Sequence, residues 1–144
     1  LRGGWRGPRC FRVVRKEPES SIITSFYLEP VDGGKIMDFQ PGQFITVLMD
    51  VGGQPLRRTY SLSGGAGANH YRISVKREPE GVASNHLHDH VDVGTELDLL
   101  PPSGEFKLIE NARPLVLLTE SHRQSVCWMC LQAAAVISTS YTVP

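Results

Sequence analysis

The sequence predicts a mainly β fold of the barrel or sandwich type. Short apolar runs between residues 11 and 109 are separated by turns rich in Gly, Pro and Asp, which is the spacing of antiparallel strands. Helical periodicity is sparse over the same range. At 144 residues, the chain is long enough for one full domain with a buried core, and a second full domain does not fit.

Period-two or continuous apolar patterns predict individual strands. The first of these, residues 22–29, has one face more apolar than the other, and Pro30 with the pair Gly33 and Gly34 ends it. Residues 44–49 are almost continuously apolar, which predicts a strand covered on both sides. The remaining segments with a strand pattern are residues 70–77 and 95–100.

One short helix is predicted at residues 84–90, with Ser84 as its N-cap and residues 91–94 as its exit. The turn before it begins at Gly81, which lets a backbone approach a ligand closely. A helix N-terminus offers unpaired N–H groups and partial positive charge. The turn from Gly81 to Ser84 is therefore suited to a phosphate group, although a plain strand-to-helix turn has the same pattern.

Composition limits the function classes. Fifteen basic and fifteen acidic residues give a net charge of zero, so nucleic acid is not an expected partner. Three cysteines form no disulfide framework, which favours a reducing compartment and predicts a cytoplasmic protein. Residues 126–137 are the longest apolar stretch; they are too short to span a bilayer, so no membrane segment is predicted.

The segment 57–63, with sequence RRTYSLS, carries the most chemical information. A guanidinium pairs with a diphosphate, a tyrosine ring stacks on an isoalloxazine, and a hydroxyl can hydrogen-bond a ring nitrogen. In an extended strand Arg58 and Tyr60 share one face, and Thr59 and Ser61 share the other, unless a twist or bulge brings Ser61 round. These groups together predict a flavin site, whereas alone they also fit an ordinary strand.

Two further segments, PGQF at 41–44 and GVASN at 81–85 after the strand ISVKR at 73–77, complete a pattern that resembles the ferredoxin-reductase-type FAD domain. It is most similar to the reductase module of flavohemoglobins, the nitric oxide dioxygenase family. Residues 3–7, GGWRG, are similar to that family's junction after the globin domain, and the likeness continues to Leu118.

The resemblance implies an all-β fold, a six-stranded antiparallel Greek-key barrel with one short helix, followed by a stub of an α/β nucleotide-binding domain. It implies an interdomain junction at 1–7, an FAD-binding barrel at 8–112 and a truncated, divergent start of the NAD(P)-binding domain at 113–144. Residues 101–106 are similar to the turn before the family's last barrel strand, and residues 114–118 to the first strand of the next domain.

The implied cofactor is FAD. By resemblance, Arg58 and the backbone of residues 81–84 hold its diphosphate, Tyr60 stacks on the isoalloxazine and Ser61 bonds near N5. The implied FAD-binding residues are Phe44, Arg58, Thr59, Tyr60, Ser61, Lys76, Gly81, Val82, Ala83 and Ser84; no catalytic residue and no metal ligand is assigned. Phe44 stands where the family commonly has a tyrosine, so a hydrogen bond from that hydroxyl is lost. The sequence is also consistent with Phe44 as a core residue of a buried strand and with Lys76 as an exposed strand residue, neither in contact with FAD.

In the intact family, NAD(P)H reduces FAD, and electrons pass to haem for nitric oxide detoxification. Haem and NAD(P)H are therefore expected only in a protein that has the globin and NAD(P)-binding domains, which this chain lacks. After Leu118 the family has a glycine-rich loop, whereas no glycine follows Gly104 here and Glu120 would repel a phosphate. The chain alone is expected to be an inactive reductase, and the abrupt change suggests an altered reading frame.

Two alternatives stay open. The chain can be the FAD module of a ferredoxin-type reductase with another acceptor, or a barrel without a catalytic role.

The CWMC segment at 127–130 has the spacing of a redox dithiol or half a zinc site, but chance placement in an anomalous tail is preferred. His86, His88 and His90 form a run in which His86 and His90 would share a helix face and could hold a metal. Solvated helix residues are preferred, because no third protein ligand is identifiable.

Overall fold

The structure is a computed structural model that describes residues 4–64 and 68–105. Within these ranges, every strand pairing is antiparallel, and the strand order in the sheet is β4-β3-β6-β1-β2-β5. The last described strand, β6, therefore lies between β1 and β3, as in a Greek key. The elements are β1 (Arg9–Pro18), β2 (Ile23–Pro30), β3 (Phe44–Val51), β4 (Gln54–Ser61), β5 (Tyr71–Lys76), α1 (Val82–His90) and β6 (Glu96–Ser103).

The two end strands of this sheet, β4 and β5, meet through a bridge between Leu62 and Ile73. This bridge curls the sheet into a barrel, so the predicted fold of six antiparallel strands and one helix is confirmed. No described helix is long and apolar enough to cross a membrane.

The core lies inside the barrel and is built by alternate residues of the strands. On β2, Phe26 and Leu28 are fully buried, as the period-two pattern predicted, and Pro30 ends the strand as predicted. The helix adds Ala83 and Leu87 to the same core. On β3 only one face is buried; the opposite face, which was expected to be covered too, is half-buried in the described part of the chain.

An aromatic cluster adjoins this core. The ring of Trp5 lies 5.7 Å from that of Phe11 and 6.3 Å from that of Tyr71, and Phe39 contacts Tyr71 edge-on at 5.9 Å. The Tyr71 hydroxyl donates to the carbonyl of Met37 at 2.8 Å. Part of the predicted junction, residues 1–7, thus packs on the barrel.

The last described strand differs from the sequence prediction. β6 continues through Pro101 and Pro102, where a turn was expected. Phe44 pairs with Ser103 but Thr46 pairs with Leu100, so the register shifts between these two pairs. Prolines are tolerated at such an irregularity because ladder hydrogen bonds are already missing there.

Several predictions fall on residues outside the described ranges. These are the strand at 114–118, the divergent segment from residue 119, the CWMC segment at 127–130 and the nucleotide-domain stub at 113–144.

Candidate functional site

Arg58 and Tyr60 lie on the same face of β4, because side chains two apart along a strand point the same way. Their partners on β3 are Val47 and Ile45, which are both fully buried. Arg58 and Tyr60 therefore lie on the face of β4 that continues the interior surface of the barrel. The ring of Tyr60 is half-buried against the core, whereas the guanidinium of Arg58 is exposed and donates to the carbonyl of Arg57 at 2.8 Å.

Thr59 and Ser61 lie on the opposite face of β4, together with Phe44, which pairs with Ser61. The register between β3 and β4 is continuous in the described structure, so neither strand carries a bulge that would turn Ser61 toward Tyr60. The Phe44 ring packs over Gly104, where an added Cβ would lie 3.3 Å from two ring atoms.

Lys76 is the last residue of β5 and points away from the core. Its ammonium lies 3.3 Å from the carboxylate of Glu78. Lys76 therefore forms an ion pair with a neighbouring carboxylate in the absence of a ligand.

The end strands β4 and β5 separate next to this site. Besides the bridge between Leu62 and Ile73, the amide of Ser63 donates to the carbonyl of Arg72 at 2.8 Å. Within the described chain, no strand ladder joins β4 and β5 beyond this bridge toward Tyr60. The barrel wall consequently opens between β4 at Tyr60 and the C-terminal end of β5. Helix α1 follows β5 in the chain and begins at Val82.

The N-terminus of α1 has features that suit an anion. Gly81 occupies the N-cap with extended backbone angles and no side-chain cap hydrogen bond, and the first turn holds no acidic residue. The first helical hydrogen bond runs from the amide of Asn85 to the carbonyl of Gly81 at 2.9 Å. The amides of Val82, Ala83 and Ser84 precede it, so they have no acceptor within the helix. Together they offer positive potential at a single point.

Ser84 was expected to cap the helix but instead lies within its first turn, because the helix begins two residues earlier, at Val82. Its hydroxyl accepts from the amide of Glu78 and donates to the carbonyl of Gly81, both at 3.1 Å. The amide of the Asn85 side chain donates to the carbonyl of Glu78 at 3.2 Å. The sequence prediction assigned no role to Asn85, although an asparagine beside a helix start is a common turn-forming signal.

Gly81 is required at this position for space. A Cβ built on Gly81 would lie 2.4 Å from the Ser84 hydroxyl oxygen and 2.9 Å from the Glu78 Cβ. The backbone angles of Gly81, φ −80° and ψ 100°, are open to any residue, so the requirement comes from this close approach.

Burial of the Tyr60 side chain raises its pKa from the ordinary value of 10.0 to about 12, and the nearby Arg58 charge partly opposes the rise. Because the folded state holds the neutral phenol more strongly than the unfolded state, this stabilisation is complete below pH 10. It is lost as the pH rises from 10 toward 12. At neutral pH the ring is therefore uncharged and suited to stacking on a planar ligand.

We expect Tyr60→Phe to reduce the loss of stability in alkali. Urea unfolding of the two proteins at pH 8 and pH 11 measures this, because phenylalanine has no proton to lose. Burial also raises the pKa of Tyr71, so part of the alkaline loss should remain in the variant. An unchanged difference between the two pH values would contradict the raised pKa of Tyr60.

The histidines of α1 have different surroundings. The His88 ring nitrogens lie 2.9 Å from the carbonyl of Val75 and 3.4 Å from the hydroxyl of Thr24, so this ring is engaged in the fold. The rings of His86 and His90 are 5.4 Å apart on one side of the helix. Among the described residues, no group of three His, Cys, Asp or Glu side chains is placed to hold a metal ion.

The arrangement fits FAD in shape and charge. A half-buried aromatic ring, an exposed guanidinium on the same strand face and a glycine-built helix N-terminus border one opening in the barrel wall. The ring offers a stacking surface, and the guanidinium and amides offer donors to a diphosphate. Six of the ten implied residues belong to these features: Arg58, Tyr60 and residues 81–84. Phe44, Thr59 and Ser61 lie on the outer face instead, and Lys76 lies at the end of β5.

Comparison with known proteins is consistent with this geometry. The sequence model of the family described as "Oxidoreductase FAD-binding domain" matches residues 11–108. A flavohemoprotein of Pseudomonas aeruginosa is 58% identical over 117 residues, which are 81% of this chain and 30% of that protein. The chain therefore spans about 30% of the length of this curated relative.

Solved structures agree with the sequence relatives. The flavohem-like FAD/NAD binding domain of nitric oxide dioxygenase from Vibrio cholerae has a TM-score of 0.83 and 38% identity, covering 91% of this chain and 58% of that one. Phthalate dioxygenase reductase, described as a modular structure for electron transfer from pyridine nucleotides to [2Fe-2S], has a TM-score of 0.65 and 31% identity, covering 72% and 32%.

These matches confirm the resemblance to the reductase module of flavohemoglobins. They also support FAD as the cofactor, since the matched family is defined by FAD binding. On the extent of the family match and the agreement of the fold, the chain belongs to the oxidoreductase FAD-binding domain family.

Proposed function

We propose that this chain is the FAD-binding part of a flavohemoglobin-like reductase. In the intact protein, this module passes electrons from NAD(P)H to haem, and the globin uses them to detoxify nitric oxide. The relatives named flavohemoprotein and nitric oxide dioxygenase support this proposal. The globin and NAD(P)-binding domains are its proposed partners, and the three cysteines without a disulfide framework favour a cytoplasmic location.

One structural observation carries the proposal. Arg58 and Tyr60 share a face of the end strand β4, and the helix N-terminus at Gly81 follows the other end strand, β5. A long dinucleotide with a planar ring and two phosphates meets the requirements of both features at once. A barrel without a ligand needs neither an exposed arginine on that face nor an uncapped helix start.

The residues would then divide the work of binding. Arg58 and the amides of residues 82–84 neutralise the diphosphate, and Tyr60 covers one face of the isoalloxazine and shields it from water. Phe44, Thr59, Ser61 and Lys76 are proposed contacts at the rim of the flavin. FAD supplies the hydride and single-electron chemistry when bound, and the protein orients and tunes it.

A first experiment tests flavin binding directly. We expect the purified chain to absorb between about 350 and 500 nm, and heat denaturation followed by chromatography to release FAD. A colourless protein that also fails to bind added FAD would overturn the proposal and favour a barrel without a catalytic role.

A second experiment tests the electron path. With ferricyanide as acceptor, we expect little or no oxidation of NADH, because no glycine follows Gly104 to build a dinucleotide loop. Dithionite should still reduce the bound flavin, which serves as the control for a competent cofactor. NADH oxidation at the rate of an intact reductase would contradict the inactive-chain expectation.

The likeness to phthalate dioxygenase reductase supports a second candidate, an FAD module that serves an iron–sulfur acceptor. The identity is lower than for the flavohemoproteins, 31% against 58%, so we rank it second. Electron transfer from the dithionite-reduced chain to a separately purified flavohemoglobin globin domain or to a [2Fe-2S] ferredoxin would separate the two candidates.

A further inference from the structure

Two histidines of α1 form a pair that the proposed flavin site does not use. His86 and His90 are four residues apart, so they lie on the same side of the helix, and their ring centres are 5.4 Å apart. His86 is half-buried and His90 is exposed. In the described part of the chain, no hydrogen bond holds either ring, whereas both ring nitrogens of His88 face partners in the fold. The nitrogens of the pair are therefore available to a ligand.

The spacing of the two rings fits a shared metal ion. Imidazole is a common ligand of zinc, copper and nickel, and two histidines at i and i+4 on a helix are a recurring pair of zinc ligands. With Zn–N distances of about 2.1 Å and a tetrahedral angle, the centres of two imidazoles on one ion lie about 5 Å apart. The observed separation is close to this value. Small rotations of two rings at the surface would therefore be enough to bind one ion.

The cleft beside this pair is acidic. It has a volume of about 340 Å³ and lies between α1 and the sheet. Asp50, Glu96 and Asp98 line it together with the two histidines. Glu96 pairs with Arg12 at 2.7 Å. Asp50 and Asp98 form no ion pair with any other residue that the structure describes. The charge in this cleft therefore favours a cation.

The position of the pair on the helix adds to this preference. His90 is the last residue of α1, and the unpaired carbonyls at a helix C-terminus carry partial negative charge that stabilises a cation. No third His, Cys, Asp or Glu side chain of the described residues is placed to complete a ligand set. Water molecules therefore fill the remaining coordination positions, and the carboxylates of the cleft can accept hydrogen bonds from them.

We propose that His86 and His90 jointly bind one divalent transition-metal ion such as Zn²⁺. The ion links two successive turns of α1, and the carboxylates of the cleft orient its water ligands. Mg²⁺ is a poor ligand for this pair, because it prefers oxygen donors. The link can form only when this segment is helical, so the ion stabilises the folded chain.

Calorimetric titration of the full chain with Zn²⁺, in the absence of flavin, tests the pair. The background carries Cys127→Ser and Cys130→Ser, because thiolates at that spacing bind zinc themselves. In this background, His86→Ala and His90→Ala should each raise the zinc dissociation constant at least about tenfold. Loss of a residue that merely orients a metal ligand already costs about 10–100-fold in affinity, and loss of a ligand should cost no less.

His70→Ala is the matched control. The His70 ring contacts Tyr27 and does not line the cleft, so this change should leave the zinc dissociation constant unaltered. Zinc should also raise the melting temperature of the background chain, but not that of His86→Ala or His90→Ala. Melts without zinc show whether each variant is folded, and His86→Gln takes the place of His86→Ala if the alanine variant is not.

Each outcome decides for or against the shared site. Weaker zinc binding in both α1 variants, with the His70 control unaltered, supports it. A loss in only one variant would mean that a single imidazole binds the ion, and no loss in either would place the ion elsewhere; both results overturn the proposal. Binding of Mg²⁺ as tight as that of Zn²⁺ would assign the ion to the carboxylates and also overturn it, as would a background chain that binds no zinc. Because no flavin is present, none of these results bears on the proposed FAD function.

Discussion

Arg58→Gln is expected to weaken FAD binding about 100-fold while leaving thermal stability almost unchanged. A hydrogen bond to a charged group contributes about 1.5–3 kcal/mol, so the loss of one or two such bonds to a diphosphate corresponds to this change. The Arg58 side chain is exposed, and its guanidinium donates to the carbonyl of the residue before it. Removing the guanidinium therefore disturbs little of the fold.

Arg57→Gln is the matched control for this prediction. Arg57 is the same residue type, is also exposed, and lies one position away on the opposite face of β4. Titration of each variant with FAD, alongside a thermal melt, separates binding from stability. Arg58→Lys should recover only part of the affinity, because an ammonium cannot make the bidentate contact. An equal loss in both glutamine variants would mean that general surface charge, rather than the face of β4, determines binding.

Salt provides an independent check on the same residue. Screening weakens exposed charge pairs, so FAD affinity of the wild-type chain should fall as ionic strength rises. The fall should be smaller for Arg58→Gln, because the variant has already lost the main screened contact. A parallel fall in both proteins would assign the salt dependence to the helix N-terminus.

Strand faces were predictable from the sequence where alternation is regular. On β4 and β2 the period-two pattern assigned Arg58, Tyr60, Phe26 and Leu28 to the faces that the structure shows. By contrast, the sequence did not predict β1 as a separate strand. Its pairing register with β2 shifts between Val13 and Arg15, and this irregularity breaks the alternation.

Features that depend on distant pairing were not predictable. The helix start moved from Ser84 to Val82 because the Ser84 hydroxyl bonds the Glu78 amide across the turn, and local capping preferences do not include that contact. The opening between β4 and β5 depends on the bridge from Leu62 to Ile73, and periodicity within either strand contains no information about it.

Gly81→Ala is expected to cause the second largest loss, because its Cβ would overlap the Ser84 hydroxyl. The first turn of α1 must then shift, and the amides that face the diphosphate shift with it. We expect FAD affinity to fall by at least tenfold and thermal stability to fall as well, since overpacking a tight site typically costs about 1–3 kcal/mol.

The double variant Gly81→Ala with Ser84→Ala distinguishes this collision from a general preference for glycine. Ser84→Ala alone removes two hydrogen bonds and should cost about 1–2 kcal/mol of stability. In the double variant the colliding oxygen is gone, so the combined loss should be smaller than the sum of the single losses, measured by denaturant unfolding and FAD titration. The remaining overlap with the Glu78 Cβ, at 2.9 Å, means that recovery should be partial. Strictly additive losses would show that Ser84 does not set the requirement for glycine, because two groups that collide in the folded state must be coupled.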